Sequence, residues 1–239
     1  MRKEFTKPVR GGSNASKWLT KQLASLLAKP FQKSSQTEKH RIAQFSEGMN
    51  LYDSGGRKYL NTAERRRFLE ASTRAKTTVR LFCLMLIWSG CRISEALALV
   101  PLRFDLESGT VEFETLKRRR RGIVRQIPLP SYLLDELNRV FKLEERQRDP
   151  KLSTTRLWSF SRSTAWRHVK KIMGAADVHG SSAMPKGLRH TFGVAAFKAV
   201  PPHLVQRWLG HASLRTTAIY GDVSGPEERS FAERVWRDW

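Results

Sequence analysis

Apolar side chains recur at helical spacing along most of this 239-residue chain. The spacing i, i+3, i+4 favours amphipathic helices, which bury one face against a core. Such stripes predict helices over residues 15–28, 37–51, 61–74, 93–100, 131–147 and 163–173, with a central, nearly all-apolar helix at 77–89. Most of the chain is therefore expected to be α-helical.

Two short segments alternate with a period of two instead, which is typical of half-buried strands. Val111 and Phe113 alternate with Glu112 and Glu114, and the segment 123–129 follows a charged turn. Two such segments joined by a turn predict an antiparallel hairpin. The predicted fold class is therefore mainly α with a small antiparallel β-sheet (α+β).

The charge balance indicates a polyanionic partner. Lys and Arg number 44 against 22 acidic residues, a net charge of +22, and phosphate contacts dominate the non-specific affinity of proteins for nucleic acids. An anionic membrane surface would require a strongly basic amphipathic helix, and none stands out. The longest apolar run, 81–88, is too short to span a bilayer, and the first residues lack the apolar stretch of a signal peptide. We expect a cytoplasmic protein that binds nucleic acid and no membrane.

Cations gather around a phenol in the segment 186–220. Lys186 and Arg189 lie three positions apart, so one helix would place them on the same face, and His211 precedes Tyr220 on the following elements. Arg and Lys side chains hold phosphate oxygens while a hydroxyl attacks phosphorus. The segment therefore predicts chemistry on a phosphate ester.

Helix-ending signals divide the same segment. Pro201–Pro202 interrupts its first helix, a shorter helix is predicted at 203–209 with Gly210 closing it, and Ser213 is placed to N-cap the next. Tyr220 would then lie roughly 10 Å beyond that cap, at ~1.5 Å of rise per residue. The histidine and the tyrosine are thus expected on neighbouring elements that can converge.

Neither a metal nor a cofactor is expected. Cys83 and Cys91 lie in or beside the central apolar run, as core thiols do, without a neighbouring histidine pair. Metal-dependent phosphoryl transfer uses clustered carboxylates, and no D-x-D or D-x-x-E cluster stands beside the basic residues. Arg92 and Arg189 are candidates to stabilise the phosphate instead, because a guanidinium fork binds two oxygens and keeps its charge.

Two motifs resemble those of a known family. LRHTFG at 188–193, followed by WLGHASLRTTAIY at 208–220, closely resembles the second catalytic box of the tyrosine site-specific recombinases, the phage-integrase family. SGCRISEALAL at 89–99 resembles the first box, with Arg92 as its arginine. The resemblance covers roughly residues 60–223.

The resemblance implies three regions. Residues 58–223 would form the tyrosine-recombinase catalytic domain and 224–239 a C-terminal helical tail. Residues 1–57, which the resemblance does not cover, would form a short basic helical region, a truncated or atypical form of the family's DNA-binding arm. The tail carries aromatic residues, including Trp236 and Trp239, at near-helical spacing. Such a stripe either covers its own domain or, as in the family, docks on a neighbouring protomer.

The family's active site carries over to six positions. The implied catalytic residues are Arg92, Lys117, Lys186, Arg189, His211 and Tyr220. Tyr220 would attack phosphorus, leaving a 3′-phosphotyrosyl link and a free 5′-hydroxyl, and its cationic neighbours would stabilise the phenolate. Lys117 would protonate the leaving oxygen. Lys186 occupies the place where the family most often has histidine.

Further residues are assigned supporting roles. His211 would hydrogen-bond a non-bridging oxygen or move a proton, and Glu95, one turn after Arg92, would orient a cation of the site. His190, next to Arg189, is expected to point elsewhere and to serve packing. The turn arginines are expected to bind the DNA backbone; they are Arg118, Arg119, Arg120 and Arg121.

The sequence is therefore interpreted as that of a site-specific recombinase. It would cleave and rejoin double-stranded DNA without ATP or metal, as a homotetramer on paired sites, with accessory DNA-bending proteins as candidate partners. Two alternatives stay open: relaxation of DNA in the manner of a type IB topoisomerase, and DNA binding without cleavage by a regulatory protein of the same fold.

Overall fold

The structure, a computed structural model, describes the following residues: 50–54, 56–114, 124–223 and 226–237. All of them belong to one compact unit, Met49–Trp239. The helix predicted over 15–28, nearly all of that predicted over 37–51, and the charged turn 117–122 lie outside the described residues.

The described residues are mostly helical, which confirms the predicted fold class. Their α-helices are α1 (Thr62–Thr73), α2 (Thr77–Ser89), α3 (Ile93–Leu97), α4 (Ser131–Phe141), α5 (Leu143–Gln147), α6 (Arg162–Ala175), α7 (Pro185–Ala199), α8 (Pro202–Leu209), α9 (Leu214–Ala218) and α10 (Pro226–Arg237). Short 3₁₀ turns follow α3, α6 and α9, at Pro101–Arg103, Gly180–Ser182 and Ile219–Gly221. None of the helices in these ranges is long and apolar enough to cross a lipid bilayer.

The sheet contains one more strand than predicted. Its strands are β3 (Phe104–Asp105), β4 (Thr110–Glu114) and β5 (Val124–Pro128), after a separate hairpin of β1 (Tyr52–Asp53) and β2 (Gly56–Arg57). The order is β3-β4-β5, all antiparallel, with Phe113 opposite Arg125 across β4 and β5. The short β3 was missed because two residues are too few for an alternating pattern to register.

The helix α2 forms the centre of the main core, as its apolar sequence predicts. Every side chain from Leu81 to Ile87 is buried, and both Cys83 and Cys91 lie in this core as free thiols. Full burial of one such apolar side chain stabilises the fold by roughly 1.5–3 kcal/mol. The core thus fixes the end of α2, where the candidate site begins.

A second, smaller cluster lies between α7, α8 and the turn after α9. It includes Val194 from α7, Val205 and Leu209 from α8, and Tyr220. Tyr220 is only 1% exposed. The candidate nucleophile is therefore part of a packed core in the resting protein.

Two helices differ from their predicted extent, and a third exposes a large aromatic side chain. The helix predicted over 131–147 is broken at Lys142, whose φ of 51° is left-handed and turns the chain from α4 into α5. The helix predicted over 93–100 ends at Leu97, since Pro101 holds the residue before it in an extended conformation. On α6, Trp166 is 47% exposed and lies near the ammonium of Lys170, although helical spacing groups it with the buried Val169, Ile172 and Met173.

Candidate active site

Arg189 joins two helix ends beneath the site. Its Nη1 donates to the Gly90 carbonyl at the end of α2 (2.8 Å), and its Nη2 donates to the Leu209 carbonyl at the end of α8 (2.6 Å). The last carbonyls of a helix lack partners within it and carry partial negative charge, so a buried cation is stabilised there. Gly90 makes this approach possible, because its φ of 60° closes α2 and a Cβ there would lie 2.5 Å from the Phe192 ring. Burial lowers the pKa of Arg189 to about 10, so it stays charged at neutral pH.

Glu95 holds two arginines in place. Its carboxylate accepts from Arg92 Nη1 (2.7 Å) and from the Arg92 backbone N–H (2.7 Å), and it receives both terminal nitrogens of Arg125, at 2.5 and 3.3 Å. The Glu95 side chain is fully buried, and burial alone raises its pKa. Hydrogen bonds and charge from Arg125, and then from Arg92, outweigh that effect and lower the pKa of Glu95 below its usual value.

The structure brings Tyr220 to these cations. The tyrosine lies on the 3₁₀ turn that follows α9, and Ser213 N-caps α9 as predicted by accepting from the Arg215 N–H (3.2 Å). Burial raises the pKa of Tyr220, while the positive charges of Arg189 and Arg92 act in the opposite direction. Both boxed arginines therefore act on the phenol, although they come from distant parts of the sequence.

His211 stacks on the tyrosine. The two rings are nearly parallel, at 15°, with their centroids 6.0 Å apart, and His211 Nδ1 is 2.9 Å from the Thr217 hydroxyl. Burial and the charges of Arg189 and Arg92 lower the pKa of His211 to about 3. At neutral pH His211 is therefore an uncharged imidazole, in which one ring nitrogen donates a hydrogen bond and the other accepts one.

Gly193 makes room for the phenol on α7. A Cβ at this position would lie 2.4 Å from Tyr220 Cζ, so any larger residue would displace the ring. Gly193 lies one helical turn after Arg189 on the same face. The glycine thus sets how closely Tyr220 approaches the arginine.

His190 does not point elsewhere, as the sequence led us to expect. From its position on α7, the His190 ring contacts the Tyr220 ring. The ring centroids are 5.9 Å apart and the ring planes meet at 55°. Positions 186, 189, 190 and 193 form one stripe along α7, since they follow the i, i+3, i+4, i+7 spacing. His190 is buried, as a packing residue would be, but it lies on the face of α7 that forms the candidate site.

The remaining predicted residues stand further out or beyond the described ranges. Lys186 lies exposed in the first turn of α7, and its positive charge contributes to lowering the pKa of His190. Lys117 and the four arginines after it lie outside the described residues, so their roles stay predictions. Four of the six candidate catalytic residues therefore meet in the described part of the site, and Lys186 lies at its rim.

Arg125 was missed by the sequence analysis. Besides binding Glu95, it donates from Nε to the Trp208 carbonyl (2.8 Å) and lies over the Phe113 ring, 5.2 Å from its centroid. The period of strand β5 was the available signal: Arg125 shares the inward face with Ile127. An arginine at an inward position of a strand requires a buried partner, and Glu95 was the acidic residue already assigned to the site.

The arrangement suits chemistry on a phosphodiester. Two guanidinium groups, a neutral imidazole and a phenol converge, which supplies charge stabilisation and a nucleophile. Within the described ranges, no three His, Cys, Asp or Glu side chains are grouped as metal ligands would be. Metal independence itself stays a prediction.

One known protein family matches most of the chain, including the segments that form the candidate site. The model of the phage integrase family matches residues 58–225. The chain belongs to the phage integrase family. The match contains both motifs singled out above and ends five residues after Tyr220, so the family assignment and the site coincide.

The curated proteins that resemble this chain include tyrosine recombinases. Tyrosine recombinase XerA of Pyrococcus furiosus is 29% identical over 189 residues, which is 74% of this chain and 62% of the relative. Tyrosine recombinase XerD of Ralstonia nicotianae is 31% identical over 143 residues, covering 57% of this chain and 45% of the relative. The chain thus spans less than two thirds of the length of these relatives.

Solved structures of recombinases share the fold. A crystal structure of XerA recombinase superposes with a TM-score of 0.61 at 20% identity, over 93% of this chain and 76% of the other. XerH bound to palindromic difH substrate, in a post-cleavage complex, gives a TM-score of 0.62 at 22% identity, over 87% of this chain and 57% of the other. At such identity the likeness concerns the fold.

Proposed function

We propose that this protein is a site-specific DNA recombinase, which cleaves and rejoins DNA strands through a 3′-phosphotyrosyl intermediate. The observation that carries the proposal is the convergence of Arg92 and Arg189 on Tyr220, with His211 stacked on the phenol. The net charge of +22 and the tyrosine recombinases among its relatives support DNA as the substrate. We assign this chemistry to residues 58–223.

The scissile phosphate binds to the two boxed arginines in this proposal. Arg189 uses one N–H of each terminal nitrogen to bind a main-chain carbonyl, which leaves hydrogens for phosphate oxygens. The Arg92 side chain is 29% exposed and is held by Glu95 on one edge, so its other edge is available to DNA. His211 adds a hydrogen bond to a non-bridging oxygen. Together these groups neutralise the charge that develops on the phosphate.

Attack on the phosphate requires movement of Tyr220 or of the residues that bury it. Tyr220 is 1% exposed in the resting protein, so DNA cannot reach its hydroxyl without movement of the turn 219–221 or of its neighbours. We expect DNA binding to supply the energy for that opening. Cleavage is then restricted to enzyme that has engaged its substrate.

Strand exchange follows from the energy stored in the phosphotyrosyl bond. The Tyr220 O–H bond breaks and its proton passes to a base of the site as Oη bonds to phosphorus, while the bond to O5′ breaks and Lys117 protonates O5′. A 5′-hydroxyl from a second duplex then attacks the same phosphorus and releases Tyr220, so neither ATP nor a metal is consumed. Exchange between two duplexes calls for a tetramer on paired sites. We propose that α10, whose Trp236 is 59% exposed, docks on a neighbouring protomer in that assembly.

A nicked suicide duplex tests the proposal. Cleavage near the nick releases a short fragment that cannot religate, so the covalent protein–DNA complex accumulates and is resolved on a denaturing gel. We expect the complex with the wild-type protein in EDTA and none with Tyr220→Phe. No complex with the wild type on its own sites would overturn the proposal in favour of a DNA-binding protein, and loss of cleavage in EDTA would overturn the metal-free mechanism.

A second assay separates recombination from relaxation. A plasmid with two sites should yield exchanged products whose junctions are read by sequencing. Relaxed plasmid without exchanged junctions would identify a topoisomerase-like activity instead. Both assays need the target site, which can be selected from random duplexes by trapping them covalently on Tyr220.

A further inference from the structure

His190 has unused hydrogen-bonding capacity next to the nucleophile. It is only 6% exposed, and neither Nδ1 nor Nε2 has a hydrogen-bond partner among the described residues. Its ring, on α7, contacts the Tyr220 ring with centroids 5.9 Å apart, while His211 stacks on the same phenol. Of these two histidines in contact with the tyrosine ring, His211 is hydrogen-bonded to a described neighbour and His190 is not.

A buried histidine without hydrogen-bond partners would destabilise the fold if its role were only to fill space. A buried polar group without a partner destabilises a protein by about 1–3 kcal/mol, and buried polar atoms are partnered in the large majority of cases. An aromatic hydrocarbon side chain would fill the same space without that cost. The observation therefore points to a partner that His190 gains in another state of the site.

The other groups of the site are poor acceptors for a phenolic proton. Lys186, at the position where the family most often has histidine, bears a positive charge at neutral pH. His211 already uses Nδ1 toward Thr217 and is assigned to the phosphate. Arg92 and Arg189 have no acceptor atom.

We propose that His190 accepts the proton of Tyr220 when the phenol attacks DNA. The inference rests on the proposed function. The Tyr220 O–H bond breaks and its proton passes to an imidazole nitrogen of His190, Oη bonds to phosphorus, and the bond to O5′ breaks with protonation of O5′ by Lys117. The imidazolium returns the proton to Tyr220 on religation.

The charges around His190 couple this role to substrate binding. Burial and the cations Lys186, Arg189 and Lys58 lower the pKa of His190 to about 3, so the resting imidazole is neutral and keeps a free lone pair. A bound phosphodiester brings negative charge to these cations and weakens their effect. Arrival of the substrate therefore makes His190 more basic at the moment when a base is required.

His190→Phe tests the role, because it keeps an aromatic ring and removes both nitrogens. We expect the single-turnover rate of covalent complex formation on the suicide duplex to fall by roughly 10²-fold or more, as on loss of a general base. His168→Phe is the matched control, since His168 packs against the Phe160 ring with centroids 5.4 Å apart; its rate should stay within about threefold of wild type. Thermal unfolding and DNA affinity are measured for each, with His190→Gln as a second variant that removes the base.

Replacing Tyr220 by the more acidic 3,5-difluorotyrosine separates a base from a structural residue. A phenol that ionises readily depends less on a general base. With difluorotyrosine at position 220, the ratio of the rate of covalent complex formation with His190 to the rate with Phe at position 190 should therefore shrink by at least about tenfold. An unchanged ratio, or His190→Gln and His190→Phe rates equal to wild type, overturns the role of His190. No complex even with the unaltered enzyme overturns the proposed function itself, so the two failures are distinguishable.

Discussion

Glu95 is a fully buried carboxylate between two guanidinium groups, and its partners differ in exposure. Arg125 is 4% exposed and Arg92 is 29% exposed. Removing one member of a buried ion pair costs far more than removing one from the surface, because an uncompensated charge remains. A more exposed pair for comparison joins Arg103, in the 3₁₀ turn before β3, to Glu112 of β4, with both side chains about one third exposed.

Arg125→Gln should lower both stability and cleavage. We expect a loss of about 3 kcal/mol in the free energy of unfolding from urea denaturation. Glu95 would also lose the fork that orients it, so Arg92 should be misplaced and covalent complex formation should slow. Arg103→Gln is the control and should cost at most about 1 kcal/mol. Equal effects of the two substitutions would contradict the assignment of Arg125 to the site.

Glu95→Gln should produce a pH-dependent loss of stability. The pKa of Glu95 is lower in the folded protein than the usual 4.5, so its ionised form stabilises the fold fully above that pH. This contribution is lost as the pH falls through the folded pKa. Urea denaturation at several pH values should therefore show that the wild type has the higher free energy of unfolding at pH 7. Its difference from Glu95→Gln should decrease steadily below about pH 4.5. A constant difference down to pH 3 would rule out the charged pair as its cause.

At the scale of elements, the face of α7 determines the site. It carries Lys186, Arg189, His190 and Gly193 in one stripe, and the turn containing Tyr220 packs on it. Close approach at Gly193 is what allows the phenol to lie beside the arginine. Another helical glycine, Gly174 in α6, has open space where a Cβ would be.

Gly193→Ala and Gly174→Ala should therefore have opposite effects. The first places a methyl group 2.4 Å from Tyr220 Cζ, so the turn must shift; we expect about 1–3 kcal/mol of destabilisation, the cost of overpacking, and slower covalent complex formation. The second should stabilise by up to about 1 kcal/mol, as alanine does in a helix, with cleavage unchanged. Thermal unfolding and the suicide-duplex assay measure both. If Gly193→Ala behaves like Gly174→Ala, the phenol does not depend on this glycine.

The elements differ in how far the sequence could predict them. The central helix, the helix that starts near Asn61, and the Ser213 cap were predicted because each depends on residues close in sequence. The break at Lys142 was not predicted, because a lysine with a left-handed backbone conformation has no local sequence signature. That conformation is stabilised by the burial of Leu143, the next residue. Arg125 and the face of His190 required strand register and helix packing, which join residues far apart in sequence.

At the scale of the whole molecule, charge is unevenly distributed. Against a net charge of +22, a cavity of about 710 Å³ between β3 and α4 is lined by Asp105, Glu107, Asp135 and Glu144. Carboxylates repel phosphate, so we expect this side of the molecule to face away from DNA. Three cations close to it, Arg139, Lys142 and Arg148, are paired with glutamates.

The salt dependence of DNA binding should distinguish the two groups of cations. Replacing Arg118, Arg119 and Arg120 by Gln should reduce the slope of log K against log salt by up to about 2.7, because each phosphate contact contributes about 0.9. Replacing Arg139, Lys142 and Arg148 removes the same formal charge and should leave the slope within about 0.5 of wild type. Fluorescence anisotropy at roughly 50 to 300 mM salt, about a factor of six, resolves the difference. Equal reductions would show that net charge alone governs binding.

Arg189 ties the ends of α2 and α8 together through the same side chain that is proposed to hold the phosphate. A catalytically inactive but folded form of this protein should therefore not be made by substitution at position 189. Any replacement there also removes the hydrogen bonds that join the ends of two helices. Tyr220→Phe deletes one oxygen atom and leaves every backbone tie in place. Loss-of-function alleles at these two positions should accordingly differ in abundance inside cells, and a Western blot would tell them apart before any assay of DNA.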